Sequence, residues 1–164
     1  VKPHIVGDLT DLSMLPDGAV HGIFSSHNLE HLDPHQVAGA LAGFHRVLQF
    51  GGELIIATPD LQTVAAFVAQ GKLEEPIYTS PAGPISAIDM LYGLRSSIAR
   101  GNHFMAHRGG FTYATLAEKL KVAGFSNITI TRDRFDLEAR CRKLQANHTQ
   151  RRDKVAVKYT DRYN

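Results

Sequence analysis

The segments VHGIFSS (20–26), HQVAGALAGFHRVL (35–48), FGG (50–52) and GELIIATP (52–59) occur in this order, and together they leave few folds open. The first and last are apolar runs of strand length. In the second, Val37, Leu41, Phe44 and Leu48 recur at spacings of three and four, which puts them on one face of a helix. Asp33 can cap that helix, with Pro34 at its first position, where a missing N–H costs nothing. Gly51 and Gly52 stop it by tolerating left-handed backbone. Strand, helix, glycine turn and strand make a βαβ unit, whose strands are parallel and whose crossover is right-handed. GELIIATP shows no polar alternation, and such strands are usually covered on both faces, as in α/β proteins.

The remaining segments extend the pattern. HIVGDL (4–9) reads as a short strand running into a loop, and Pro16-Asp17-Gly18 is a turn signal. Leu61 to Gly71 is a short helix with Asp60 as its cap. Residues 72–110 are the least regular part, with SAIDMLYGLRSSIA predicted as one helix of about three turns. Thr112 caps a clean helix to Phe125, in which Leu116, Leu120 and Ala123 share a face with Tyr113. Asn127 to Thr131 is the next strand, LEARCRKLQ a weaker helix, and Val155 to Tyr159 has strand character. The expected architecture is a three-layer, Rossmann-like α/β fold with a mostly parallel sheet. One partial domain spans 1–164, and 72–110 forms an insertion or lid on the acceptor side.

Composition removes several classes of function. With 43% apolar and 21% charged residues the chain is globular rather than disordered. A formal net charge of +2 does not call for a polyanionic partner. Acidic groups outnumber basic ones before residue 131 and the reverse holds after it, which a solvated terminal segment explains; nucleic acid is not an expected partner. The lone Cys141 cannot form an internal disulfide and favours a reducing, cytoplasmic compartment. No apolar run of about 18 residues is present to span a membrane, and no signal peptide is visible.

SSHNLEHLD (25–33) carries the chemistry. It leaves the carboxyl end of the first strand, where open parallel sheets bind ligands. His27-x-x-Glu30-His31 is also the inverted form of a zinc peptidase motif. Zinc would need both imidazole nitrogens at about 2 Å on one helical face, and Asp33-Pro34 opens a new helix too soon for that. No metal is expected. Leu29 and Leu32 pin the loop to the core, while His27, Glu30 and His31 are left to hydrogen-bond or to act.

Taken together, GDLTDLSMLPDGAVHGIFSSHNLEHL, HRVLQFGGELIIATPD and TLAEKLKVAGFSNITI resemble the later two-thirds of a class I S-adenosylmethionine-dependent methyltransferase, from about Ile5 to Ile130. The pieces LEHL, RVLQFGGEL and AGF are specific in this order and weak singly. The resemblance implies that Asp8 accepts a hydrogen bond from the cofactor adenine and that Leu9 adds a backbone contact, with Asp11 the neighbouring candidate. It implies that Ser25, Ser26 and His27 line the methionine end, that Leu29-Glu30-His31 makes a short turn beyond, and that Gly51-Gly52 make a tight turn into the following strand. Methyl transfer from a sulfonium needs an aligned nucleophile and excluded water, and in some cases a base. A neutral histidine, with an ordinary pKa of about 6.5, suits that role. His27 and His31 are the catalytic candidates; Glu30, His103 and His107 are candidates for the acceptor side. Tyr92, Phe104 and Met105 add apolar surface to the same region.

The pattern departs from the family in having no glycine-rich cofactor loop before VHGIFSS and no G-x-G run later. The family's sheet order leaves the first strand with an apolar edge, and such edges are rarely left open. Residues upstream of Val1, a second copy of the chain or a local rearrangement would cover it. The expected function is methyl transfer from S-adenosylmethionine to a small-molecule acceptor. The alternative is a non-catalytic methyltransferase-like domain that self-associates or binds another protein.

Overall fold

The structure, a computed structural model, describes residues 6–145 and 157–161. Its main sheet has five strands: β1 (Val20–Ser26), β2 (Leu48–Pro59), β5 (Ser126–Asp133), β6 (Asp136–Arg142) and β7 (Val157–Asp161). A separate hairpin joins β3 (Pro76–Ser80) to β4 (Gly83–Ser86). The helices are α1 (Val37–Val47), α2 (Leu61–Ala69), α3 (Ala87–Tyr92), α4 (Arg95–Ile98) and α5 (Tyr113–Val122). The sheet order is β1-β2-β6-β5-β7.

The expected βαβ unit is present as β1-α1-β2, with β1 and β2 parallel. Glycine acts differently from expectation at its turn. Val20 pairs with Leu48 and Gly22 with Glu53, so residues 49–52 are looped out within β2. Gly51 takes φ 81° there, and Gly52 packs against the His21 carbonyl and Leu48 closely enough that a Cβ would collide with them. The glycines thus serve a bulge inside a longer strand rather than a tight turn before one.

The sheet is mixed, which corrects the mostly parallel expectation. β1–β2 and β5–β7 are parallel, whereas β2–β6 and β5–β6 are antiparallel. The cause is LEARCR, expected as a helix. Leu137, Ala139 and Cys141 are buried while the residues between them face outward. This period of two is the signature of a strand with one covered face. β6 returns from β5 through a turn in which Arg134 takes φ 55°. It lies between β2 and β5; β7, which overlaps the expected strand Val155–Tyr159, lies outside β5, and residues 155–156 are outside the described part.

One core dominates. Val37, Leu41 and Phe44 of α1 meet Leu116 and Leu120 of α5 over Leu54, Ile56, Ile128, Ile130 and Leu137 of the sheet. Each fully buried aliphatic side chain contributes roughly 1.5–3 kcal/mol. The opposite face carries Phe24, Ile55, Arg140 and Thr129 across the same register. Phe24 is 70% exposed, so among the described residues the main helices cover one face only and supply two of the three expected layers. α1 also starts later than expected: Gln36 is its N-cap residue, and Asp33 instead holds Arg108 at 3.2 Å. HIVGDL is no strand where it is described; from Val6 it is loop, with Asp8 bridged to Asp11, and residues 4–5 lie outside the described part.

Residues 72–110 fold over a second apolar cluster built on Val64, Ile85, Ala87 and Met90, with Phe67 and Phe135 against it. The single helix expected there is two, broken at Gly93, which takes φ 92° and whose Cβ would collide with the Met105 carbonyl. Asp89 fastens this layer. Its carboxylate accepts from the Ser86 amide at 3.1 Å and hydroxyl at 2.5 Å, and from the Arg95 amide at 3.2 Å and Nε at 2.9 Å. Burial alone would raise its pKa, but the bonds from Arg95 and Ser86 hold it down at about 2, below the ordinary 3.8. The stabilisation is therefore complete above the ordinary value and is lost as the pH falls through the folded one. Asp89→Asn should destabilise the protein at pH 7 by about 2 kcal/mol. The difference should shrink in acid, between pH 3.8 and about 2. Denaturant midpoints of wild type and variant across that range check this; a constant difference counts against it.

Candidate functional site

Two parallel strands end side by side, and the loops that leave them carry the candidate residues. β1 ends at Ser26, and the His27 amide still donates to the Ala57 carbonyl at 2.9 Å. His27 then takes φ 51°, a left-handed conformation unusual for a residue with a Cβ. The reversal sends the chain into a single 3-10 turn, Leu29–His31, which buries Leu29 and Glu30. Glu30 is 1% exposed. Its backbone carbonyl accepts from the amides of Arg108 at 2.8 Å and Gly109 at 3.1 Å. Those two bonds bring His107, distant in sequence, beside His31.

The resulting cluster is dense. His31 Nδ1 lies 3.1 Å from the Ala106 carbonyl, and His107 Nδ1 2.8 Å from the Met90 carbonyl. A carbonyl can only accept, so both Nδ1 atoms carry hydrogen and both Nε2 atoms keep their lone pairs in the neutral rings. The two rings meet edge to face at 4.8 Å. Glu30 Oε2 accepts from the buried Thr58 hydroxyl at 3.2 Å. Glu30 Oε1 lies 3.3 Å from His27 Nδ1 but forms no hydrogen bond. His27 Nε2 is 3.7 Å from Asp136 Oδ2.

The charges respond to this packing. The Glu30 side chain and then the Asp136 charge raise the His27 pKa against the effect of burial. Burial works against the Glu30 carboxylate, yet His27 holds its carboxyl below the ordinary range. Burial lowers the pKa of His107 and raises that of Asp136.

Two cavities flank the turn after β1. One, of about 230 Å³, is lined by His27, His31, His107 and Asp136 together with Tyr78 and Met90. Of the acceptor-side candidates, His107 and Met105 line it. His103 and Phe104 are exposed outside it, and Tyr92 is 63% exposed. Glu30 sits beneath it. The second cavity, of about 350 Å³, is lined by Gly7, Asp8, Leu9, Leu12, Met14 and Asn28. Asp8 and Leu9 therefore share a cavity, whereas Ser25 is buried and Ser26 half-buried in β1. The Asn28 side-chain amide donates to Ser25 Oγ at 3.4 Å. Sequence reasoning overlooked Asp136 and Thr58. Both sit at strand ends, and the pairing of Pro59 with Asp136 becomes visible only once β6 is known to be a strand.

The comparisons with known proteins agree with this frame. A model of the family described as "Methyltransferase domain" matches residues 2–56. That match corrects the expectation that only the family's later two-thirds is represented and its N-terminal part absent. The strand, the LEHL turn, the helix and most of the glycine-linked strand β2 fall within the matched residues, at this chain's N-terminal end. No curated protein matches. Among solved structures, the PH0226 protein from Pyrococcus horikoshii superimposes with a TM-score of 0.56 at 14% identity, over 85% of this chain and 58% of that one. A SAM-dependent methyltransferase from Archaeoglobus fulgidus gives 0.55 at 15% identity, over 85% and 66%. The 1,6-didemethyltoxoflavin-N1-methyltransferase of Burkholderia thailandensis gives 0.51 at 18%, over 86% and 50%.

The left-handed turn at His27 has a measurable consequence. His27→Asn and His27→Val both remove the imidazole, but asparagine tolerates this backbone and a β-branched residue does not. The valine variant should be less stable than the asparagine variant by about 1–2 kcal/mol. Equal unfolding midpoints would show that the backbone there relaxes freely. From its sheet order and these superpositions, the chain has the class I, Rossmann-like fold of S-adenosylmethionine-dependent methyltransferases, and it spans between 50% and 66% of the length of these three structures.

Proposed function

We propose that this chain belongs to an enzyme transferring a methyl group from S-adenosylmethionine to a small-molecule acceptor. The observation that carries the reading is the pair of cavities on either side of the turn after β1. The Asp8 cavity suits the cofactor's adenosine. Leu9, Leu12 and Met14 offer apolar surface to a flat ring, and Asp8 offers a carboxylate to an exocyclic amine. Asp8 Oδ1 accepts from the Thr10 amide at 2.8 Å and hydroxyl at 2.7 Å, which fixes the carboxylate and lowers its pKa. Ser25, Ser26 and His27 would line the methionine end. The bound cofactor supplies a methyl group activated by a sulfonium.

The histidine cavity is the acceptor's place. Residues 72–110 form its outer wall through Tyr78, Met90 and Met105 and keep water from the acceptor. His27 or His31 takes the proton of an acceptor hydroxyl or amine. Glu30 orients His27, at 3.3 Å from its Nδ1, and Asp136 steadies the imidazolium that forms. His107 contacts the acceptor from the wall, and His103, exposed outside the cavity, would meet it only at the rim.

The exposed Phe24 on outer strand β1 favours a second reading, in which the chain is a non-catalytic domain that self-associates. Titration with S-adenosylhomocysteine separates the two. The enzyme reading expects micromolar binding that Asp8→Ala weakens about tenfold, the loss of roughly one charged hydrogen bond. With an acceptor in hand, either His27→Ala or His31→Ala should slow transfer at least about a hundredfold, the size of general-base assistance. Absence of binding by the folded protein, with a concentration-dependent oligomer, would favour the self-association reading.

A further inference from the structure

We propose that Glu30, His31 and His107 form a binding site for a divalent transition-metal ion of the zinc type, with an open position facing the cavity. One ligand atom from each of the three lies within 4.8 Å of the others. Tetrahedral ligands about 2.0–2.1 Å from zinc stand roughly 3.3 Å apart, so closure needs side-chain shifts of about 1 Å.

Three features point to a cation. Glu30 is buried; its Oε2 accepts from Thr58, while Oε1 forms no hydrogen bond and has the half-exposed His27 Nδ1 at 3.3 Å as a charged neighbour. A buried carboxylate oxygen held this loosely can take a metal ion as a further positive partner. Next, both imidazoles are held in one tautomer by backbone carbonyls, His31 by Ala106 and His107 by Met90. Metal-binding histidines are commonly fixed in this manner, with the second nitrogen tied to a carbonyl and the first left to coordinate. Finally, the bonds from Arg108 and Gly109 to the Glu30 carbonyl, flanked by Leu29 and Phe111 in the common core, bring together two histidines that are distant in sequence.

The arrangement differs from the zinc peptidase pattern rejected for the sequence. That pattern needs His27 and His31 on one helix. Here His27 lies outside the set, and His107 comes from the distant wall. Two imidazole nitrogens and a carboxylate oxygen suit zinc or a neighbouring first-row divalent ion rather than calcium or magnesium. With three protein ligands, the fourth position opens on the cavity lined by His31 and His107, where an oxygen or nitrogen of a small molecule can reach it. The site is defined by metal binding alone and does not depend on the methyltransferase reading; when occupied it takes the Nε2 lone pair of His31 and leaves the role of base to His27.

The test is calorimetric titration of the chelator-treated full chain with zinc chloride, repeated with cobalt(II) for its visible spectrum. One zinc per chain at micromolar affinity or tighter is expected, with cobalt bands of a four-coordinate site. His31→Ala and His107→Ala should each weaken binding at least about a hundredfold, as for loss of a direct ligand. A double variant of the exposed, unrelated His21 and His35 should bind as wild type does. Circular dichroism confirms folding of each variant, and His107→Gln replaces His107→Ala if the latter unfolds. Absence of binding by the folded wild type overturns the proposal. So does unchanged affinity in both the His31 and His107 variants, or zinc lost only from the His21 and His35 variant.

Discussion

The carbonyl of Glu30, accepting two amides from residues 108 and 109, holds the rest of the site in place. Together with the bond from His31 Nδ1 to the Ala106 carbonyl, it joins the 3-10 turn after β1 to the wall formed by residues 72–110. With it, the wall is fastened where the first parallel strand ends, and His107 arrives beside His31. The Asp33–Arg108 ion pair adds to the same seam, but it is exposed and contributes little by comparison. Backbone bonds cost no side-chain entropy, so this seam is a firmer way to join two loops than ion pairs between long side chains.

The sequence was legible where local chemistry and burial agreed. β1 occupies the residues its apolar run predicts, and α2 and α5 begin at the caps Asp60 and Thr112. It was hard to read where two periods competed. LEARCR places arginine and glutamate between small or apolar residues, and those residue types are good helix formers; only the sheet neighbours β2 and β5 make it a strand. SAIDMLYGLRSSIA carries a helical pattern through Gly93, and the break there depends on the nearby Met105 carbonyl. The site was half legible. SSHNLEHLD marked the loop, but nothing in it shows that His107 joins it while His103, four residues earlier, points to solvent. That selection is made by the amides of residues 108 and 109.

The fold and the site follow from one another through strand direction. Because β1 and β2 are parallel, their carboxyl ends lie together, and each ends in a buried carboxylate, Glu30 beyond β1 and Asp60 beyond β2. Because β6 is antiparallel to β2, its first residue, Asp136, reaches the same end. A fully parallel sheet would have placed that acid at the far side of the molecule.

The two buried carboxylates are bonded differently. Asp60 is complete. Its Oδ1 caps α2 through the Gln62 amide, and its Oδ2 accepts from Thr63 at 2.9 Å and from Arg132 at 2.5 Å. Those bonds fasten the end of β2, the start of α2 and the end of β5 together, a structural duty that accounts for every oxygen. Removing one partner from such a pair strands a buried charge and typically costs about 3–5 kcal/mol. Glu30 has the same burial and an incomplete set: one oxygen is bonded to Thr58, and the other lies near His27 with no bond formed. A chain that satisfies Asp60 so fully has the means to satisfy a buried acid. Leaving Glu30 Oε1 with no hydrogen bond and only His27 nearby, beneath a cavity lined by three histidines, is the kind of local inconsistency that proteins retain at working sites rather than in their framework.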